Sequence, residues 1–138
     1  ISAPSGVGKS TLANHWMSEY PESIIINDDK PIIKYQDDKA YVFGSPWSGK
    51  EIINQNMTLP LHSIIFLERG ETNKIRTLNN KEKIKYLFRN INRPKDPIAW
   101  NNMQITLNHL VESTVMYAAE VINDISAAHM IKDTLFGE

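Results

Sequence analysis

An α/β domain with a mixed sheet, flanking helices and a β-hairpin is the fold class this sequence predicts. Three observations predict it. Short apolar runs suited to buried strands, Ser23-Ile24-Ile25-Ile26, Ile64-Ile65-Phe66-Leu67 and residues 115–121, alternate with stretches whose apolar residues recur at helical spacing. Residues 32–35 and 40–43 flank Gln36-Asp37-Asp38-Lys39, the pattern of a hairpin with a four-residue turn. The length, 138 residues, is that of one domain able to bury about two-thirds of its unfolded surface.

Each element has its own signal. Ile1-Ser2 reads as the tail of a strand that begins before residue 1, and a strand needs about five residues. The chain is therefore expected to be a single domain, residues 1–138, lacking its N-terminal strand or strands. A helix is expected from Ser10 to about Tyr20, with Leu12, Ala13, Trp16 and Met17 on one face and Pro21 closing it. The strand at residues 23–26 ends at Asn27-Asp28-Asp29. After the hairpin, Gly44-Ser45-Pro46-Trp47-Ser48-Gly49 is a turn-rich loop. The strand at residues 64–67 runs into Glu68.

Asn79 with Glu82 three residues on forms a capping-box pattern, with Asn in place of Ser or Thr. The helix behind it carries Ile84, Leu87, Phe88 and Ile91 at the spacing of one buried face. Asp96-Pro97 reads as an N-cap followed by Pro at the first helical position, with Met103, Leu107, Leu110 and Val111 facing inward. A strand over residues 115–121 follows, and Asn123 or Asp124 caps a last helix that runs to about Leu135. No internal repeat, low-complexity segment or linker interrupts this order.

Composition removes several function classes. Fifteen Lys and Arg against 16 Asp and Glu give a net charge of −1, which excludes a generally basic nucleic-acid binder. The absence of Cys excludes a disulfide framework, a thiolate metal site and a Cys nucleophile. No apolar run approaches the ~18 residues of a membrane span, and no signal-peptide pattern opens the sequence. A cytoplasmic domain without nucleic-acid or membrane partners is the expectation. The four His are scattered, and no two have i, i+4 ligand spacing.

Ala3-Pro4-Ser5-Gly6-Val7-Gly8-Lys9-Ser10 fits the Walker A pattern G-x-x-x-x-G-K-S/T, with Ala at the first Gly position. The chemistry needs these residue types. Gly6 and Gly8 allow conformations in which the N–H groups of Ser5, Gly6, Val7 and Gly8 turn toward phosphate oxygens. The helix that follows adds the positive end of its dipole. Lys9 reaches the β- and γ-phosphates, the Ser10 hydroxyl ligates Mg²⁺, and Thr11 touches the α-phosphate. Strand tail, loop and amphipathic helix come in the order the motif demands. The loop also resembles that of guanylate kinases, yet no Thr-Arg-x-Pro-Arg segment follows Tyr20. A Leu-Ser-Gly-Gly transporter-ATPase signature is missing as well.

Asp28 and Asp29 are expected at the carboxyl edge of a central strand, the edge that faces the phosphates in such domains. One carboxylate there can hold Mg²⁺, and a second beside the γ-phosphate can accept the proton of an attacking hydroxyl. Adjacent strand residues point to opposite faces, so both roles require the chain to be turning at this point.

Walker A, one helix and an apolar strand ending in Asp-Asp resemble the catalytic domain of HPr serine kinase/phosphorylase. They also resemble the nucleotide-binding core of ATP-dependent phosphoenolpyruvate carboxykinase. The likeness is closer to the shorter HPr kinase-like proteins of bacteria, in which a hairpin and a Gly-Ser/Thr-Pro-Trp/Phe-x-Gly loop follow, as at residues 44–49. The resemblance implies a P-loop domain of the HPr kinase/carboxykinase type that uses ATP and Mg²⁺. It implies transfer of the γ-phosphoryl group to a hydroxyl, serine-like, on a protein, peptide or small molecule. Lys9 and Asp28 are then the catalytic residues, Asp28 as general base, with Asp29 and Ser10 on the metal. The division between the two Asp stays open.

No Arg-Gly-Leu-Gly segment follows the paired Asp, which leaves the acceptor unspecified, and the carboxykinase's oxaloacetate ligands are not found. An ATP-binding regulatory module and a simple NTPase are the alternative functions, and self-association is left open. Residues 44–50 are read either as an acceptor-side loop, with Lys50 supplying charge, or as an ordinary loop with Trp47 packed on the hairpin. Glu68 is read either as a water-positioning carboxylate or as a strand-end group facing solvent. Arg69, Arg76, Arg89 and Arg93 include candidates for charge stabilisation that sequence does not rank.

Overall fold

The computed structural model describes residues 1–3, 6–26, 31–44, 57–91 and 93–137. In chain order these hold α1 (Lys9–Glu19), β1 (Ile32–Gln36), β2 (Lys39–Phe43), β3 (Thr58–Pro60), β4 (Ser63–Arg69) and β5 (Lys74–Thr77). There follow α2 (Asn80–Asn90), α3 (Pro97–Ser113), β6 (Val115–Val121) and α4 (Ile125–Phe136). The described residues thus form a mixed α/β fold with four helices and two three-stranded sheets, β1-β2-β3 and β4-β6-β5.

β4 and β6 run parallel, from Ser63 opposite Val115 to Arg69 opposite Val121, and β5 lies antiparallel along the other side of β6. Ser2 extends this sheet beyond β4 through one parallel bridge to Phe66. Its N–H donates to the Ile65 carbonyl and its carbonyl accepts from the Leu67 N–H, each at 2.8 Å. Ser2 thus makes a strand-like bridge to β4 while lying outside any named strand.

Successive strand residues point to opposite faces, and here each face has its own core. Ile64 and Phe66 of β4, with Met116 and Ala118 of β6, pack against Leu87 of α2 and Leu107, Leu110 and Val111 of α3. Ile65 and Leu67, with Ala119 and Val121, pack against Leu12 of α1 and Ala127, Ala128 and Ile131 of α4. Burial on both faces is why Ile64–Leu67 of β4 reads in the sequence as an unbroken apolar run and why β6 is apolar apart from Glu120. The smaller sheet turns Ile33, Tyr35 and Ala40 toward the α2–α3 core. Tyr35 stacks on His109 of α3, with centroids 4.2 Å apart.

The helix ends follow their sequence signals. Asn79 accepts from the Glu82 N–H at 2.9 Å while the Glu82 carboxylate accepts from the Asn79 N–H, completing the capping box. Asp96 accepts from the Ala99 N–H at 2.9 Å, ahead of Pro97. Asp124, rather than Asn123, caps α4 by accepting from the Ser126 N–H at 2.8 Å, and that bond holds its carboxyl below the usual carboxylate range. Lys83 donates to the Val111 carbonyl at 2.9 Å, satisfying an orphan acceptor in the last turn of α3. No helix among the described residues is long and apolar enough to cross a membrane.

Three expectations are corrected. Gln36 pairs with Lys39, so the hairpin turn has two residues, Asp37 and Asp38, with φ of 53° and 63°. Positive φ at both positions is the geometry that matches the twist of the flanking strands. Residues 23–26 form no strand, and Ile24 is 50% exposed. Apolar composition alone does not make a strand, and among the described residues it is Ser2 that bridges the outer side of β4. Ser23 is held instead to α1, its hydroxyl accepting from the Trp16 indole N–H at 3.0 Å. Ile84 is 44% exposed: it stands on the rim of an open groove of about 240 Å³ between α2 and α3, shared with Phe88, Gln104 and Asn108.

Candidate functional site

The parallel pairing of Ser2, β4 and β6 decides where a site can form. Their carboxyl ends share one edge of the sheet, and the chain leaves that edge to start α1 after Ser2 and α4 after β6. Gly6 and Gly8 have φ of 83° and 104°, the left-handed region in which side chains are strained. Gly8 is the N-cap of α1 and no side chain caps the helix there. The first helical bond runs from the Leu12 N–H to the Gly8 carbonyl at 3.0 Å, so the amides of Lys9, Ser10 and Thr11 precede it. This is the local geometry of an anion-binding loop.

Gly8 is constrained twice. A Cβ on it would lie 2.9 Å from Oδ1 of Asn123, the residue that enters the β6–α4 turn, whereas a Cβ on Gly6 would meet nothing within 4 Å. Each Gly→Ala change is expected to lower stability by about 1–2 kcal/mol through φ alone. Urea unfolding should then show Gly8→Ala to be the more destabilised, and the excess should vanish when Asn123 is also Ala. Asn73 fastens the same turn: its Oδ1 accepts from the Ile122 N–H at 3.0 Å and its Nδ2 donates to the Ser126 hydroxyl at 2.8 Å.

The structure ranks the four arginines. Arg76 is ion-paired to Glu82 at 2.5 Å. Arg89 lies over the Tyr86 ring, and Arg93 lies over the Phe88 ring while donating to the Phe88 carbonyl. Arg69, the last residue of β4, donates from Nη2 to the carbonyl of Gly6. It shares the face of Ile65 and Leu67, which pack on the α1 side. Glu68 points to the other face, where its carboxylate accepts from the Tyr86 hydroxyl at 2.5 Å. That bond, and the desolvation accompanying it, push the Tyr86 phenol above its ordinary value. Glu68 thus ties β4 to α2 and is not a bare solvent-facing group.

Gly6, Val7, Gly8, Lys9, Ser10 and Thr11 are brought together at the mouth of α1, with Val7 packed on the α1–α4 core. Ser5, Asp28 and Asp29 lie outside the described residues, as do residues 45–50 of the second loop. Among the described residues no three His, Asp or Glu cluster as a metal cage. Mg²⁺ at a nucleotide is ordinarily held by one or two protein oxygens together with phosphate oxygens and water, so the exposed Ser10 suits that sparse donor set.

Arg69, Asn73 and Asn123 are the residues sequence reasoning left without a role at this edge. Arg69 had one signal, its place directly behind an apolar strand run; Asn73 had none, since its partners lie about fifty positions away. Comparison of the chain with protein-family models, with curated proteins and with solved structures finds no match.

Proposed function

We propose that this chain is an ATP-dependent phosphotransferase with a P-loop domain of the HPr kinase-like type. It takes Mg·ATP at residues 5–11 and passes the γ-phosphoryl group to a serine-like hydroxyl. The observation that carries the reading is the setting of the loop. A Gly-x-Gly-Lys-Ser segment with both glycines at positive φ lies between a sheet-bridging Ser2 and the uncapped start of α1. Loop amides and Lys9 bind and orient the phosphates. Ser10, joined by Asp29, would hold Mg²⁺, which would offset phosphate charge. Asp28 takes the acceptor's proton as its oxygen bonds to the γ-phosphorus and the bond to the ADP oxygen breaks. We assign the domain to the cytoplasm, with no nucleic-acid or membrane partner.

The test is incubation with γ-phosphate-labelled ATP, Mg²⁺ and a degenerate serine-peptide library. Label on a peptide hydroxyl, lost in Lys9→Ala, is the expected result. Mg·ATP at about 100 times Kd should also stabilise the fold by about 2.7 kcal/mol, and not in Lys9→Ala. Phosphate release without a labelled acceptor would make the chain a simple NTPase. A melting shift without turnover would make it an ATP-sensing module, and no response to nucleotide would sink all three.

A further inference from the structure

We propose that Arg69 is a positioning residue for the phosphate loop: by holding the Gly6 carbonyl it aims the Val7 N–H at the bound phosphates. The proposal rests on the phosphate-binding reading above. A planar peptide directs its C=O and the following N–H to opposite sides, so whatever fixes the Gly6 carbonyl also fixes the Val7 amide. At Gly6 the backbone carries no side chain to restrict it and sits at φ 83°, so the peptide that follows has little local restraint on its rotation. Arg69 supplies the missing restraint through a hydrogen bond from its charged guanidinium.

Three further observations support that role. The loop's root and Arg69 are referenced to one strand, because Ser2 bridges Phe66 of β4 and Arg69 ends the same β4. No carboxylate among the described residues pairs with Arg69, so nothing there competes with Gly6 for it. The Val7 N–H itself is taken by no backbone carbonyl among the described residues, which leaves it available to a ligand. Because Arg69 grips the outer side of the peptide, its effect passes through the loop and does not depend on the γ-phosphate.

Binding of Mg·ATP and Mg·ADP to wild type, Lys9→Ala, Arg69→Ala and Arg69→Lys, measured by calorimetry, tests this. Arg69→Ala should lose about tenfold in affinity for both nucleotides equally, the scale of one charge-assisted hydrogen bond. Arg69→Lys, which retains a charged donor, should recover most of the loss. In the nucleotide-free protein the Val7 amide resonance should move in Arg69→Ala and return in Arg69→Lys. A loss confined to Mg·ATP would mean that Arg69 touches the γ-phosphate, and the positioning role falls. Unchanged affinity in Arg69→Ala, with binding lost in Lys9→Ala, would overturn the Arg69 assignment alone. Failure of wild type to bind either nucleotide would overturn the phosphate-binding reading and this one with it.

Discussion

Asp28→Asn is expected to slow phosphoryl transfer by about 10²–10⁴-fold while leaving Mg·ATP affinity close to that of wild type. The carboxamide has nearly the shape of the carboxylate but no basic oxygen that can take a proton from the attacking hydroxyl. If transfer is limited by generating a nucleophile, that basicity is what the substitution removes. On the proposed reading, binding would draw on the loop amides, Lys9 and the metal, none of which the substitution changes. Asp29→Asn should behave differently, raising the Mg²⁺ concentration needed for half-maximal rate. Initial rates over an Mg²⁺ titration separate the two. A swapped pattern would exchange the roles of the neighbours, and full transfer in both variants would remove the carboxylates from the mechanism.

Phe66→Ala should destabilise the domain by about 3–5 kcal/mol. Phe66 is 3% exposed on the α2–α3 face of β4, and its ring lies 5.3 Å from that of Tyr86. Truncation leaves a cavity between β4 and two helices, and it also forfeits an aromatic contact of about 0.5–1.5 kcal/mol. Against a total stability of about 5–15 kcal/mol for a domain of this kind, the variant stands near the unfolding threshold. Ile98→Ala, at a side chain 73% exposed, should stay within about 0.5 kcal/mol and serves as the control. Urea unfolding of both decides it: a loss under about 1 kcal/mol at Phe66 would refute the two-faced core.

The elements that sequence reading located are those whose burial or capping leaves a local mark. β4 and β6 are covered on both faces and so appear as largely apolar runs; α2, α3 and α4 are capped by Asn79, Asp96 and Asp124, each with a side chain accepting from the helix's first turn. What escaped depends on distant partners. β3 is a three-residue strand with every residue exposed, and β5 holds one apolar residue, Ile75, in four. Neither has a periodicity to find. The run at residues 23–26 has strand composition but takes no strand conformation, because apolar composition alone does not dictate one. Asp37-Asp38 lacks the Asn-Gly signature of a two-residue turn, so its length was misjudged. At the candidate site the loop was legible because its residue types match a pattern that phosphate binding would require. Arg69 was not, because only the fold brings it to Gly6.

The parallel neighbours β4 and β6 are separated along the chain by β5, α2 and α3. Their pairing is therefore a non-local event, and the entropy of closing that long loop must be met before any ladder bond forms. The capped helices between them can condense early from local contacts. The root of the candidate loop is tied to β4 through Ser2, itself a contact between residues far apart in the chain. In a refolding experiment, helical signal should thus precede sheet formation, and competence to bind nucleotide should be the last property the chain regains.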